Sequence, residues 1–221
     1  MGVGVSVRDV IAKRAAKEIK DGMVVNLGIG MPTLVANHIP DDVNVMFHAE
    51  NGILGAGPAP KQGEEDENIC NAGGLPITVV PGASYFDSTY AFSIIRRGLL
   101  DVTILGAFEV SQYGDLANWI VPKKIVSGMG GAIELAQKAR KVIVIMNHVD
   151  KHGNAKIMTK CSLPLTAKQC VDLIVTDMAV IEVSDQGLHL IEIMEGFTVD
   201  DVTRKTAAPL TIASDIKGGN V

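Results

Sequence analysis

Short, uninterrupted apolar runs are the sequence feature that most constrains how this chain folds. The clearest is "KVIVIMNH" at 141–148, and comparable runs occur at 43–48, 101–107 and 172–177. A strand that is apolar at nearly every position is buried on both faces, which is typical of a parallel sheet covered by helices. Further strands are predicted at 23–30, 77–80, 179–184 and 187–194, and helices at 6–20, 32–39, 87–97 and 131–139.

The order of these segments predicts the fold class. Strands that alternate with helices indicate an α/β domain with an open, mostly parallel sheet and helices on both faces. The last two strands predict an antiparallel hairpin, and Thr198-x-x-Asp201 predicts the cap of a short C-terminal helix. No linker-like stretch divides the chain, so residues 1–221 are interpreted as a single domain whose end, near 215–221, is frayed.

Composition and charge exclude several classes of function. Hydrophobic residues make up 47% of the chain and charged residues 20%, which excludes extended disorder. A net charge of −5 without a basic cluster argues against nucleic-acid binding. Because there is neither an apolar run of about 18 residues nor a signal-like start, no membrane span or secretion is expected. Three cysteines without a CxxC pair predict reduced thiols and a cytoplasmic protein.

"GIGMP" at 28–32 places Gly28 and Gly30 between a strand and a helix. A dinucleotide-binding motif needs a third glycine, where this chain has Thr33, and Pro32 removes a backbone donor. The segment is therefore interpreted as lining the pocket of some other ligand.

Glu50 is the strongest candidate for a reactive residue. It ends the apolar run at 43–48, and the carboxyl ends of strands are where open α/β sheets bind ligands. Asn51 and Gly52 follow at once, and glycine allows the backbone and a ligand to approach closely. No cationic partner is evident nearby in the sequence, so Glu50 is predicted to act as a nucleophile or a base.

"SGMGGAIEL" at 127–135 supplies a second glycine turn in front of a helix. Backbone N–H groups at such a turn favour developing negative charge, which makes Gly130 and Gly131 candidates, although tight packing alone also explains them. His48, His148 and His152 lack metal-ligand spacing and are interpreted as ordinary hydrogen-bonded histidines.

Five motifs in order resemble the β subunit of family I CoA-transferases, with the greatest likeness to 3-oxoacid (acetoacetate) CoA-transferases. They are "ENGILGAGP", "PGASYFDS", "YGDLANWIVP", "SGMGGAIELA" and "KCSLPLTAKQCVDLIVTD", and the resemblance covers nearly the whole chain. Two positions depart from the family pattern. Ala49 replaces a usual Ser, and Glu109 replaces a common Gln, where an extra acid close to the site would alter substrate choice.

The resemblance implies ping-pong transfer of CoA between an acyl-CoA and a short-chain carboxylate or 3-oxoacid: acetoacetate with succinate, butyrate or acetate. Glu50 would form a glutamyl-CoA thioester, with Gly130 and Gly131 beside the acyl oxygen. The substrate-pocket candidates are Asn51, Gly52, Gly28, Gly30 and Glu109. The resemblance further implies that coenzyme A is a substrate, that no metal or redox cofactor takes part, and that an α subunit completes an α₂β₂ heterotetramer. The alternatives are an acyl-CoA hydrolase and a non-catalytic ligand-sensing domain of the same fold.

Overall fold

The computed structural model describes residues 6–123 and 128–219. Its helices are α1 (Val7–Ala16), α2 (Ser88–Arg96), α3 (Ala132–Lys138) and α4 (Val199–Lys205), with a 3-10 helix at Met31–His38. Its strands are β1 (Val24–Leu27), β2 (Met46–Ala49), β3 (Ile53–Ala56), β4 (Val79–Tyr85), β5 (Val102–Gly106), β6 (Glu109–Ser111), β7 (Leu116–Ala117), β8 (Lys141–Ile145), β9 (Ile157–Met158), β10 (Leu173–Val175), β11 (Ala179–Ser184), β12 (Gly187–Ile193) and β13 (Leu210–Gly218).

Parallel strands form the centre of a ten-stranded sheet with the order β13-β12-β11-β10-β8-β5-β1-β2-β3-β4. Strands β10, β8, β5, β1 and β2 all run parallel to one another. Antiparallel pairs flank them, β2–β3–β4 on one side and β10–β11–β12 on the other. The predicted open, mostly parallel sheet is confirmed, including the hairpin of β11 and β12. A separate small sheet has the order β7-β6-β9.

Helices cover both faces of the large sheet, because successive residues of its central strands alternate between two apolar clusters. Val142 and Val144 of β8 belong to the cluster that includes residues of α2, α3 and α4. Ile143 and Ile145 belong to the cluster formed with α1 and the 3-10 helix. Burial on both faces explains why these strands are apolar at nearly every position. None of the described helices has the length and apolar character needed to span a bilayer.

Local capping interactions fix two of the helices where the sequence predicts them. The Ser6 hydroxyl accepts a hydrogen bond from the Arg8 amide at the start of α1, which ends at Ala16, earlier than predicted. At the start of α4, Thr198 and Asp201 form a complete capping box. Each cap satisfies backbone donors that the first helical turn leaves unpaired.

The glycines after Glu50 permit close packing between strands. Gly52 and Gly55 have φ values of +117° and +95°, and a Cβ at these positions would lie 1.9 Å from the Phe86 carbonyl oxygen and 2.9 Å from Ala83. Residues 53–56 therefore form β3 between β2 and β4. The sequence predicts that the backbone here is open to a ligand. In the structure, the group that approaches these glycines closely is another segment of the same chain, at Ala83 and Phe86.

The C-terminal segment is more ordered than predicted. Residues 210–218 form β13, which pairs in parallel with β12 at the edge of the sheet. The predicted fraying near 215–221 is thus corrected for residues 215–218, while 220–221 lie outside the described residues. Every third residue of β13 is partly buried and the others are exposed, which explains why the strand lacks an apolar run.

His148 connects three elements at the end of β8. Its ring nitrogens lie 3.0 Å from the Thr176 hydroxyl after β10 and 3.0 Å from the Thr206 hydroxyl after α4, and its amide donates to Asp177. The side chain is completely buried. Burial is the main cause that lowers the pKa of His148 to about 4, so the ring is neutral at pH 7. This confirms its interpretation as a hydrogen-bonded structural histidine.

We expect the protein to lose about 1–2 kcal/mol of unfolding free energy between pH 7 and pH 5 through this residue. Below pH 6.5 the unfolded chain binds a proton at His148, while the folded chain does not until the pH approaches 4. The stabilisation is therefore complete above pH 6.5 and is lost as the pH falls. Urea denaturation across this range measures the effect.

His148→Gln should reduce the pH dependence, and some should remain because burial also lowers the pKa of His48. His152→Gln, at an exposed position, is the matched control and should keep the wild-type dependence. An unchanged pH dependence in His148→Gln would contradict this account of the fold.

Candidate active site

The carboxyl ends of the central parallel strands meet at one cavity of about 380 Å³. Gly28 follows β1, Glu50 follows β2, Ala107 follows β5 and Asn147 follows the end of β8, and all four line it. Parallel strands place their carboxyl ends at one edge of a sheet, where α/β proteins form their ligand crevices. The cavity lies where the sequence predicts a ligand site, around Glu50.

Glu50 is held by a side chain from the neighbouring strand. The Asn26 amide nitrogen donates to Glu50 Oε2 at 3.0 Å and to the carbonyl oxygen of His48 at 3.1 Å. Asn26 is completely buried, and its Oδ1 accepts a hydrogen bond from the Thr103 hydroxyl at 3.4 Å. One carboxylate oxygen of Glu50 therefore has a fixed donor.

The buried ring of His48 lies next to the Asn26 amide. Its Nε2 lies 3.2 Å from the carbonyl oxygen of Ala91 in α2, which can only accept, so Nε2 carries the proton. Its Nδ1 is then an acceptor, 3.4 Å from the Asn26 amide nitrogen. Burial lowers the pKa of His48, although the charge of Glu50 opposes the shift. A neutral His48 therefore supplies a third acceptor near the Asn26 amide nitrogen, after Glu50 Oε2 and the His48 carbonyl oxygen.

A second, smaller cavity of about 200 Å³ also reaches Glu50. Its walls are mainly apolar and include Leu34, Phe47 and Ile77, with the loop around Gly73 on the far side. Ala49, one of the two departures from the family pattern, is buried in this wall and packs with Ile53, Ala56 and Ile77. Glu50 therefore stands between two cavities and is open to groups that approach from either side.

The glycine turn before α3 comes very close to Glu50. Gly130 and Gly131 line the larger cavity together with Glu50. A Cβ at Gly131 would lie 3.3 Å from Glu50 Cγ and 3.2 Å from the Phe92 ring, so glycine is what permits this approach. The predicted proximity of this turn to Glu50 is present in the structure. The preceding residues 124–127, which include part of the "SGMGG" motif, lie outside the described residues.

The other glycine and asparagine candidates divide into two groups. Gly28 lines the larger cavity, whereas Gly30, Asn51 and Gly52 line neither cavity. Gly30 precedes the 3-10 helix with a φ of +90°. Asn51 donates to the carbonyl oxygen of Cys70 at 2.7 Å, which ties the turn after Glu50 to the loop that covers the smaller cavity.

Glu109 binds the loop at residues 162–163 and lines neither cavity. Its carboxylate accepts hydrogen bonds from the Ser162 amide at 2.6 Å, the Ser162 hydroxyl at 2.7 Å and the Leu163 amide at 3.0 Å. It lies in β6 of the small sheet, beyond the end of β5. The family resemblance suggested Glu109 as a substrate-pocket residue, but the chain turns away from the cavity before it reaches Glu109.

Three residues at the site were missed by sequence reasoning. Asn26 was included in an apolar strand, and its polar side chain within that run is the signal that identifies it. Trp119 lines the larger cavity together with Lys156. Burial lowers the pKa of Lys156 to about 8, although Asp177 and Asp150 oppose the shift. Lys156 is the only lysine or arginine among the described residues that line the two cavities.

Comparisons with known proteins agree with these features. The sequence profile of the coenzyme A transferase family matches residues 8–205. The probable β subunit of a coenzyme A transferase from Bacillus subtilis (strain 168) is 59% identical over 212 residues, which cover 96% of this chain and 98% of that protein. The B subunit of a succinyl-CoA:3-ketoacid coenzyme A transferase from Helicobacter pylori (strain ATCC 700392 / 26695) is 53% identical over 205 residues, which cover 93% of this chain and 99% of that one.

Solved structures share the fold at lower identity. An acyl-CoA transferase apoenzyme from Escherichia coli O157:H7 superposes with a TM-score of 0.76 at 23% identity. The match covers all of this chain but only 44% of the larger one. The family profile spans most of the chain, and relatives above half identity align with nearly all of it. This chain therefore belongs to the coenzyme A transferase family.

Proposed function

We propose that this chain carries the nucleophile of a CoA-transferase that moves CoA between an acyl-CoA and a short-chain carboxylate or 3-oxoacid. The observation that carries the proposal is the placement of Glu50. It lies at the carboxyl edge of the sheet, between two cavities, with one oxygen held by Asn26. The proposed substrates are acetoacetate paired with succinate, butyrate or acetate, and the Helicobacter pylori relative is named for succinyl-CoA and a 3-ketoacid.

In the first half of the reaction, a carboxylate oxygen of Glu50 attacks the carbonyl carbon of the acyl-CoA. The C–S bond breaks, CoA leaves as a thiolate, and an acyl-glutamyl anhydride remains. The thiolate then attacks the glutamyl carbonyl carbon, and the free carboxylate leaves with the bridging oxygen. A glutamyl-CoA thioester results, and a second acid reverses the steps. A carboxylate is suited to this covalent role because it splits one difficult transfer into easier ones.

The geometry around Glu50 supports each part of this chemistry. Two cavities allow the acyl group and the pantetheine thiol to approach from different sides. The backbone N–H groups of Gly130 and Gly131 are the proposed donors to the oxyanion that forms on the substrate carbonyl, and such a donor typically contributes about 3–4 kcal/mol to transition-state stabilisation. No step changes an oxidation state, so the proposed mechanism needs no redox cofactor, and we propose that it proceeds without a metal.

A second type of chain is part of the proposal. The relatives are named as the β or B subunit of a coenzyme A transferase, which implies that each has an α partner. Ile29, Leu75 and Phe108 are exposed apolar residues, and each neighbours or lines a cavity that reaches Glu50. A cover over this edge would exclude water, which would otherwise hydrolyse the anhydride. We propose that the two types of chain form an α₂β₂ heterotetramer. We also propose a cytoplasmic location, because the cytoplasm keeps thiols reduced and the three cysteines are free.

Replacing the nucleophile tests the reaction. In the complex with the α subunit, Glu50→Gln should lower CoA transfer by at least about 10³-fold, because an amide cannot form the anhydride. Transfer is measured as isotope exchange between an acyl-CoA and its free acid. Glu195→Gln, at an exposed position after β12, is the control and should retain wild-type exchange.

Exchange at a near-wild-type rate in Glu50→Gln would refute the role of Glu50. Release of free CoA and acid by the wild-type complex without isotope exchange would instead identify a hydrolase. A wild-type complex that binds acyl-CoA and catalyses neither reaction would favour a sensing domain.

The partner requirement is tested by assembly and by activity. The isolated chain should transfer no CoA, and addition of the α subunit should produce transfer together with a particle of two α and two β chains by light scattering. The reason is that the carboxyl edge of the sheet is uncovered in the single chain. Robust exchange by the chain alone, at the rate of the complete enzyme, would overturn the requirement.

A further inference from the structure

Lys156 is a cation that the fold directs at the larger cavity. The following residue, Ile157, begins β9 and is completely buried in the core cluster that includes Val110 and Leu116. Successive side chains of an extended chain point in opposite directions, so Lys156 faces away from that core. The larger cavity lies on that side, and Lys156 forms part of its wall.

Backbone hydrogen bonds on both sides hold Lys156 in this position. Its amide donates to the carbonyl oxygen of His148, beyond the end of β8, at 3.4 Å. Its carbonyl oxygen accepts from the Val110 amide of β6 at 3.0 Å, and Val110 is also the partner of Ile157 in the small sheet. The lysine is therefore attached to both sheets, and together they fix its place at the cavity.

The ammonium group of Lys156 has no protein partner within residues 6–123 and 128–219. Nζ makes no hydrogen bond there, and none of the salt bridges of those residues includes it. The two acids whose charges act on it have other partners. Asp177 accepts from the His148 amide, and Asp150 accepts from amides of its own loop.

This ammonium group nevertheless carries its charge at neutral pH. Burial lowers the pKa of Lys156 to about 8, against the opposing effect of Asp177 and Asp150, so the group is mainly protonated at pH 7. A partly buried charge is unfavourable unless an opposite charge or hydrogen bonds compensate for the lost water. An anionic group of a ligand in the cavity would supply that compensation.

Glu50 and Lys156 lie toward opposite ends of the larger cavity. Glu50 follows β2, whereas Lys156 is bonded to the chain beyond β8, and the strand order β8-β5-β1-β2 separates these two strands by three intervals. At about 4.8 Å per interval, the separation across the sheet is about 14 Å. Among the described residues that line this cavity, these two are the only ones with ionisable side chains.

We propose that Lys156 is a specificity-determining residue that binds the second carboxylate of a dicarboxylic substrate held in the larger cavity. This inference rests on the proposed function of Glu50. One end of the acid exchanges CoA at Glu50, and the carboxylate at its other end accepts hydrogen bonds from Nζ. Such charge-assisted hydrogen bonds are stronger than neutral ones. Of the acids proposed above, only succinate has a second carboxylate, so Lys156 favours succinate over butyrate and acetate.

The phosphate groups of CoA are the other anions available to this lysine, and the size of the cavity argues against them. They are separated from the thiol by the whole pantetheine arm. A thiol placed at Glu50 therefore puts them outside a cavity of about 380 Å³ whose wall includes both Glu50 and Lys156. A short dicarboxylic acid has its two charged groups only a few carbon atoms apart, which suits the space between these side chains.

The test compares succinate with succinamate, its monoamide, as the acid that accepts CoA from acetoacetyl-CoA in the complete enzyme with the α subunit. The two acids have nearly the same shape, but the far end of succinamate is uncharged. In the wild type, kcat/KM should be about 10- to 100-fold higher for succinate, because a hydrogen bond to a charged group is the stronger one. Lys156→Met keeps the length of the side chain and removes the charge, so the ratio should fall below about threefold.

Two further variants separate the charge of Lys156 from other effects. Lys156→Arg keeps the charge and should retain a preference for succinate of at least about tenfold. Lys151→Met, at an exposed position in the same connection between β8 and β9, is the matched control. Lys151 lines neither cavity, so this variant should keep the wild-type ratio.

Three results would overturn the role of Lys156. They are a wild-type ratio near one, a wild-type ratio retained in Lys156→Met, and an equal loss of kcat/KM for both acids in that variant, which would indicate a structural or CoA-binding role. The wild-type comparison needs no variant, and it therefore tests the requirement for a second charge independently of how Lys156→Met folds. Absence of CoA transfer to any acid by the wild-type complex would refute the proposed function of Glu50, and this inference with it.

Discussion

The parallel alignment of the five central strands determines where the reactive groups of this protein lie. Because β10, β8, β5, β1 and β2 point in one direction, their carboxyl ends share one edge of the sheet. Residues that are far apart in sequence, such as Gly28, Glu50 and Asn147, thereby line one cavity. The same alignment sets the register of β1 against β2, and this register brings Asn26 to Glu50.

Much of the fold is predictable from local sequence, and the exceptions have physical causes. Apolar runs identify the central strands because those strands are buried on both faces, and caps such as Ser6 and Thr198 depend on neighbours within three residues. β3 was missed because it is short and contains Gly55, whose missing side chain admits Ala83 of the next strand. β13 was missed because it is a partly exposed edge strand whose order depends on pairing with β12, a contact that local sequence does not encode.

The site is predictable only in part, for a related reason. Glu50 stands out because an acid ends an apolar strand, and a glycine turn before a helix points to Gly131. Asn26 reaches Glu50 through a parallel pair, whose register cannot be obtained from one strand alone. Glu109, a pocket candidate by resemblance, lines neither cavity, because nearness to a strand end in sequence does not fix the direction of a side chain. The chain leaves β5, enters the small sheet and turns the carboxylate toward Ser162.

The central claim is that CoA becomes covalently attached to Glu50 during transfer. The most direct measurement mixes the complete α–β enzyme with acyl-CoA in the absence of an acceptor acid, quenches the reaction with acid, and identifies the modified peptide by mass spectrometry. The account predicts a CoA thioester on Glu50 that borohydride reduces and that a carboxylic acid discharges. Transfer that proceeds with an unmodified Glu50, or with CoA attached to another residue, would contradict it.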